Sequence, residues 1–408
     1  MHGLGVVRQP PPAGAASFSA TYIGPAGWGY DPSVRQGLAR MANHLVTTAA
    51  GPYDRVALAR KLDRAGATLS RDASPEAAEV TIWGPARDWR SLLALLSEVV
   101  LEPRFDPDDL ARVRRQMLER HLRERNDPGH RAAFELRRAV FPPGHPYRAT
   151  GLGEPGTVGR VRRTDLQRFH RDHYTGRGGS VVVTVPASLT AVERAVRDRF
   201  GSIPGPGPPR LRIPRIPRAA PTRVTVDLPG RSEVEMVVGG PSIPQSSPLY
   251  PGAFLANETL GGRPLLSRLF QRVRERSGLA YHASSHLETL RWAGFWSARA
   301  GAGADRWRKV VPMLEEEVAR LRRKAIPRAE LAAIRESAIG EIPLSLESTS
   351  DAHALAVESA YLGLPPDFWL TWPERLRAVT PRDVRHAATA AFDRNHSATV
   401  AVGPLHPA

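Results

Sequence analysis

Two short strings of the sequence concentrate side chains that could do chemistry. Residues 37–45, Gly-Leu-Ala-Arg-Met-Ala-Asn-His-Leu (the first string), contain His44, and residues 269–281, Leu-Phe-Gln-Arg-Val-Arg-Glu-Arg-Ser-Gly-Leu-Ala-Tyr (the second string), contain Arg274 and Tyr281. A phenol and a guanidinium suit a developing oxyanion and a peptide carbonyl, because both donate hydrogen bonds to oxygen. The chain has no cysteine, so a metal would have to be bound by His, Asp or Glu.

Two other histidine pairs have the spacing of metal ligands. These are His170 with His173 and His282 with His286. No carboxylate cluster accompanies the second pair in the sequence, and the first pair corresponds to alanines in the internal repeat described below. Neither pair is predicted to bind a metal.

The first string resembles the signature helix of the pitrilysin/insulinase family of zinc peptidases, which includes the mitochondrial processing peptidase. There the pattern is Gly-Leu-x-His-x-x-Glu-His, in which two histidines bind zinc and the glutamate is the general base. This chain has Arg40 and Asn43 at two of those positions and keeps only His44, while Arg120 stands where the family has its third ligand, a glutamate. The resemblance therefore implies a degenerate zinc motif and no cofactor in this chain, since one imidazole cannot hold a catalytic zinc.

The second string closely resembles the family's C-terminal motif, Leu-Phe-x-x-Leu-Arg-Glu-x-x-Gly-Leu-x-Tyr. The resemblance implies that Tyr281 helps to stabilise the tetrahedral oxyanion at a zinc site and that Arg274 holds the substrate backbone. Gly278 is predicted to end the helix that carries Arg274 and to turn the chain into the strand that carries Tyr281.

Composition and charge narrow the class of protein further. The chain has 408 residues, 57 basic against 41 acidic, and a net charge of +16, and only Lys61, Lys309 and Lys324 are lysines. The arginines are spread along the chain instead of forming a tail or stripe, so nucleic-acid binding is the weaker interpretation of this charge, and an acidic partner subunit or chamber is favoured. No leader-like segment and no run of about 18 apolar residues is present, which favours a soluble, cytoplasmic protein without membrane contact.

The elements that must position these residues fall into two similar halves. Residues 161–186 align without a gap on residues 379–404 at an offset of 218, and each segment is a capped helix, a polar turn and an apolar strand. We expect an N-terminal domain at 1–203 with the eroded zinc motif, a Pro/Gly-rich linker at 204–221, and a C-terminal domain at 222–408 with the Arg/Tyr motif. The predicted fold class is α+β: two tandem homologous domains, each a mostly antiparallel sheet with helices packed on one face, forming a clam-like half shell.

The resemblance also implies a function for the whole chain. Some members of the family are heterodimers in which one subunit carries zinc and the other supplies the Arg/Tyr pair. We therefore expect a zinc-free subunit, inactive alone, that joins a zinc-bearing homologous subunit to form a peptidase acting on peptides or unfolded polypeptides; a homodimer is the other assembly considered. The alternative is a catalytically inactive structural or peptide-binding protein, as in the core subunits of respiratory complexes.

Overall fold

The computed structural model describes residues 4–201, 207, 210–217, 220–344, 346–365 and 367–405. The strands are Gly5–Gln9 (β1), Ser17–Gly24 (β2), Thr68–Ala73 (β3), Ala78–Pro85 (β4), Ser180–Thr184 (β5), Thr222–Asp227 (β6), Val234–Ser242 (β7), His282–Thr289 (β8), Gly294–Ala302 (β9) and Ala398–Gly403 (β10). The helices are Leu38–Val46 (α1), Arg55–Ala65 (α2), Trp89–Leu101 (α3), Pro107–Asn126 (α4), Pro128–Val140 (α5), Pro155–Gly159 (α6), Arg163–His173 (α7), Leu189–Phe200 (α8), Tyr250–Asn257 (α9), Trp307–Arg323 (α10), Arg328–Leu344 (α11), Thr349–Leu362 (α12), Trp372–Arg377 (α13) and Pro381–Ala391 (α14). Residues Glu258–Gly262 and Phe270–Arg276 are π-helical.

The strands form two five-stranded sheets with the same order. The first sheet runs β1-β5-β2-β4-β3 and the second runs β6-β10-β7-β9-β8. In each sheet the first pair of strands is parallel and the other pairs are antiparallel. The predicted α+β class with mostly antiparallel sheets is confirmed.

The internal repeat is visible in matching elements. Helices α7 and α14 both have 11 residues, and they begin 218 positions apart, as do strands β5 and β10. Asp165 and Asp383 occupy the same place in their helices, and each carboxylate accepts a hydrogen bond of 2.9 Å from the backbone N–H three residues earlier. A carboxylate in the first helical turn satisfies an N–H that has no partner within the helix.

The chain folds into two compact units, each built from three segments. Unit 1 comprises Met1–His121, Ala149–Arg212 and Pro343–Pro366, and unit 2 comprises Leu122–Arg148, Ile213–Ile342 and Asp367–Ala408. Each unit therefore contains residues from both sides of the proline-rich segment, because α12 belongs to unit 1 and α5 belongs to unit 2. Of the predicted linker, residues 204–206, 208–209 and 218–219 lie outside the described residues, and the rest forms no helix or strand. The domain boundaries inferred from the sequence stay a prediction.

The first sheet has one apolar face and one largely polar face. Phe18, Ala20 and Tyr22 of β2 lie in the main core of unit 1, which also contains side chains of α1, α3, α7 and α8. The intervening residues of β2 point to the opposite face, because successive side chains of a strand alternate. That face is covered by α12, whose Ala356 and Val357 pack in a small second cluster.

The second sheet is also covered on one face by a helix from the other half of the sequence. Leu136 and Val140 of α5 pack in an apolar cluster with Val237, Phe295 and Val400. Each sheet thus has, besides the helices of its own half, one helix from the other half. Among the described helices, none is both long and apolar enough to span a bilayer.

Candidate functional site

The first string forms helix α1 in unit 1, and its side chains do not form a zinc site. The side chain of Arg40 points to Thr150, whose backbone oxygen accepts a hydrogen bond of 3.2 Å from Nη2, and its guanidinium lies over the ring of Trp28 at 5.0 Å. Asn43 is buried and donates from Nδ2 to the backbone oxygen of Asp72. Both side chains therefore have structural contacts in place of a metal.

His44 lies in cationic surroundings. Its imidazole is half-buried, and burial together with the guanidinium groups of Arg71 and Arg112 lowers its pKa to about 4. Arg120, at the position of the family's third ligand, is an exposed residue of α4. One neutral imidazole near several arginines does not fit a divalent cation, since a catalytic zinc needs three protein ligands.

The second string forms a π-helical segment and a turn in unit 2 and ends at Tyr281, directly before β8. Arg268, just before the string, and Arg272 form ion pairs, whereas Arg274 is exposed. Arg268 forms two hydrogen bonds with the carboxylate of Glu330, at 2.7 and 2.8 Å, and Arg272 pairs with the buried Glu317 at 2.8 Å. These ion pairs fix the segment against α10 and α11. Arg274 is exposed, with its guanidinium 4.9 Å from the ring of Phe270.

Gly278 and Tyr281 complete this local structure. Gly278 has φ of +60°, in the left-handed region, and its N–H donates to the backbone oxygen of Arg274 at 3.1 Å. This confirms that the glycine ends the helical segment. The backbone N–H of Tyr281 donates to the oxygen of Gly301 at 2.9 Å, which ties the residue to β9. Its side chain is 64% exposed, so the phenol is presented to solvent.

A carboxylate cluster that the sequence analysis missed lies beside Tyr281. Nε2 of His282 lies 3.0 Å from Oε2 of Glu235, and ligand atoms of Glu233, Glu235 and His282 all lie within 4.8 Å of one another. Gly301 of β9 stands between the two strands, and a Cβ there would lie 2.6 Å from Nε2 of His282. The expectation that no carboxylates accompany His282 was therefore wrong, because strand pairing brings them together across a glycine.

The two histidines of the pair in α7 have individual structural contacts. Nε2 of His170 lies 2.7 Å from the backbone oxygen of Val100, and Nδ1 of His173 lies 3.1 Å from that of Pro25. The nitrogen next to a carbonyl oxygen must carry the proton, so neither nitrogen can bind a metal. The hydrogen bond that His282 donates to the carboxylate of Glu235, by contrast, raises the pKa of His282 and favours an ion pair.

We predict that the purified chain holds far less than one zinc per molecule at α1. The reason is the replacement of the donor atoms by the guanidinium and amide groups described above. Elemental analysis after saturation with zinc and desalting measures this. Stoichiometric zinc that His44→Ala removes would contradict the prediction, whereas zinc that His282→Ala removes would belong to the cluster beside Tyr281.

Comparisons with known proteins connect both halves of the sequence to one family. Residues 7–141 match the family described as "Insulinase (Peptidase family M16)", and residues 160–338 match "Peptidase M16 inactive domain". An uncharacterized zinc protease of Mycobacterium leprae is 27% identical over 354 residues, which cover 85% of this chain and 78% of the relative. A protein of Helicobacter pylori named a non-peptidase homolog is 20% identical, over 85% of this chain and 80% of that protein.

A solved structure supports the same fold. The crystal structure of a peptidase M16 inactive domain from Pseudomonas fluorescens matches with a TM-score of 0.92 and 22% identity, and the match covers 99% of this chain and 96% of that one. At this level of identity the likeness concerns the fold alone.

Proposed function

Because the chain belongs to the M16 peptidase family and is of its non-catalytic type, we propose that it is the zinc-free subunit of a heterodimeric metalloendopeptidase. The observation that carries the proposal is that the zinc-ligand positions have been replaced while the Arg/Tyr pair has been kept. The residues of the metal positions, Arg40, Asn43 and Arg120, have become unsuitable as ligands, while Arg274 and Tyr281 retain the family pattern and are exposed on unit 2. Zinc is then expected in a homologous partner, and this chain is inactive alone.

The proposed chemistry of this chain is hydrogen-bond donation to substrate oxygens. The hydroxyl of Tyr281 donates to the oxygen that becomes negative when the scissile carbonyl is attacked, and the guanidinium of Arg274 holds a peptide carbonyl nearby. Among the described residues, no carboxylate forms an ion pair with Arg274, so this guanidinium can bind an incoming oxygen. The clam-like enclosure of a peptide, the basic charge that meets an acidic partner, and the cytoplasmic location are further parts of the proposal.

The experiment is co-expression with a homologous chain that has an intact His-x-x-Glu-His motif. We expect the pair to co-purify and to cleave fluorogenic peptides, and we expect Arg274→Ala to lower kcat/KM by roughly 10- to 100-fold, since a hydrogen bond to a charged group contributes about 1.5–3 kcal/mol. Arg276→Ala is the matched control, because Arg276 is exposed on the same π-helical segment. Full activity of Arg274→Ala would remove the proposed role.

A second candidate is a structural or peptide-binding protein without enzymatic partner. The relative named a non-peptidase homolog favours it. In that case the chain would purify as a monomer or homodimer, bind unfolded polypeptide, and show no peptidase activity with any zinc-bearing homologue. Nucleic-acid binding through the arginines is the remaining, weaker candidate, and a steep loss of affinity with rising salt would identify it.

A further inference from the structure

Unit 1 contains a cavity between the polar face of the first sheet and helix α12. Its volume is about 610 Å³, which is in the range of small-molecule sites. The floor consists of alternate residues of β2 and β4, including Ser17, Ser19 and Thr81, and the roof is α12. None of these lining residues belongs to the first string, so the cavity is separate from the degenerate zinc motif.

The polar floor is particular to unit 1. Val182 of β5 and Val400 of β10 are equivalent in the internal repeat. In strand pairing, Thr21 lies opposite Val182 and Val237 lies opposite Val400. Thr21 therefore has an apolar counterpart, Val237, in unit 2, where α5 packs closely on the sheet. The same covering arrangement thus leaves a polar cavity in one unit and an apolar core in the other.

The charged groups of the cavity are acidic. Glu79 and Glu358 line it, and Asp72 pairs with Glu79 across the strands on the same face. His353 also lines the cavity, and its imidazole is neutral near pH 7 because burial lowers its pKa to about 4. Among the residues that the structure describes, no arginine or lysine lines the cavity, although the chain has 57 basic residues.

Glu79 lacks a compensating charge. Burial, together with the carboxylates of Asp72 and Glu358, raises the pKa of Glu79 to about 7. Within the part of the chain that the structure describes, no arginine or lysine forms an ion pair with Glu79. Glu79 is half-buried, and a carboxylate that is partly withdrawn from water without a cation is destabilised, so a bound cation would stabilise it.

An aromatic side chain stands at the other end of the floor. Trp83 lies on the same face of β4 as Glu79, and its side chain is 42% exposed. The two residues are four positions apart, which corresponds to about 13 Å along a strand. An indole face attracts cations, so the cavity offers two places for positive groups, separated by serine and threonine hydroxyls.

We propose that this cavity binds an elongated organic cation that carries primary ammonium or guanidinium groups, with one cationic group at Glu79 and another at Trp83. The length between these residues fits a free polyamine or a short segment of peptide with lysine or arginine side chains. Both sources share the same chemistry. The site is independent of Arg274 and Tyr281, which lie in unit 2.

The test is isothermal titration of the full chain with spermidine and, separately, with the peptide Gly-Arg-Gly-Arg-Gly. We expect at least one of the two to bind, and we expect Glu79→Gln to weaken that binding at least tenfold. Glu336→Gln is the matched control, since its carboxylate is exposed on α11. Trp83→Ala is a second variant that removes the other end of the site without emptying the core.

The pH dependence gives an independent readout. The proton on Glu79 competes with the ligand, so affinity should rise by about tenfold from pH 6 to pH 8 in the wild type and stay nearly constant in Glu79→Gln. Binding of spermidine alone identifies a polyamine site, and binding of the peptide alone identifies a peptide site. Absence of binding of both ligands at 1 mM, or equal affinity in Glu79→Gln, would overturn the proposal.

Discussion

Replacing Tyr281 with phenylalanine is expected to lower the turnover of the assembled peptidase by roughly 100- to 1000-fold. The substitution removes one hydroxyl donor to the developing oxyanion, and loss of such a donor costs about 2.7–4 kcal/mol of transition-state stabilisation. KM should change little, because the oxyanion exists only in the transition state. Steady-state kinetics with a fluorogenic peptide measure both constants.

The surroundings of Tyr281 indicate that this substitution should not disturb folding. The Tyr281 side chain is 64% exposed and its backbone hydrogen bond to Gly301 does not involve the hydroxyl, so the variant should fold and assemble as the wild type does. Tyr53→Phe is a suitable control, since it removes a hydroxyl that bonds Lys61 in unit 1 at 2.7 Å. Unchanged turnover in Tyr281→Phe would exclude the oxyanion role.

Replacing His353 with alanine is expected to lower the free energy of unfolding by about 2–4 kcal/mol. His353 is 4% exposed, and its two ring nitrogens lie 2.8 Å from the hydroxyls of Thr21 and Thr184. The alanine variant leaves a buried hydroxyl without its partner and opens a void under α12. Urea unfolding, with the change in midpoint and slope, measures the loss.

Unit 2 suggests how to restore the stability. The counterparts of Thr21 and Thr184 in the second sheet are Val237 and Val402, by the pairing and the offset of 218. The triple variant Thr21→Val, Thr184→Val, His353→Leu should therefore recover much of the loss, because it replaces all three polar groups by apolar ones of similar size. If the single variant His353→Ala were as stable as the wild type, the hydrogen bonds of His353 with Thr21 and Thr184 would contribute nothing to stability.

The same histidine should make stability depend on pH. Its pKa is about 4 in the folded chain and about 6.5 in an unfolded one, so between these values the unfolded chain binds a proton that the folded chain does not. Stability is therefore expected to fall as the pH is lowered from about 6.5 to 4. The His353→Leu background should show a flatter profile over this range.

Much of the fold follows from local patterns in the sequence. The repeat at 218 places α7 and β5 on α14 and β10 because capping and apolar periodicity are local properties. Strand β1 was not predicted, since its five residues are all half-buried and precede a run of prolines. The signal available for it was the alternation of valines with polar residues over 222–227, which forms β6, the strand that holds the equivalent place in the second sheet.

The features that could not be predicted depend on distant pairing. The second string marks Arg274 and Tyr281 as candidates by their spacing within 13 residues. By contrast, Glu235 and His282 are 47 positions apart and meet only because β9 carries a glycine between them. The cavity under α12 likewise depends on a helix from the other half of the chain, whose destination no periodicity reveals.

Because each sheet is covered by a helix from the other half of the chain, the two sheets are covered at different times during synthesis. The sheet of unit 1 is complete once β5 has been made, but its covering helix ends only at Leu362, about 180 residues later. At 5–20 residues per second on the ribosome, this delay is roughly 9–36 s. During that interval Ile23 and Val182 are uncovered on the nascent chain. Helix α5, in contrast, is synthesised before the sheet that it covers, so chaperone protection is expected to be needed by the first unit more than by the second.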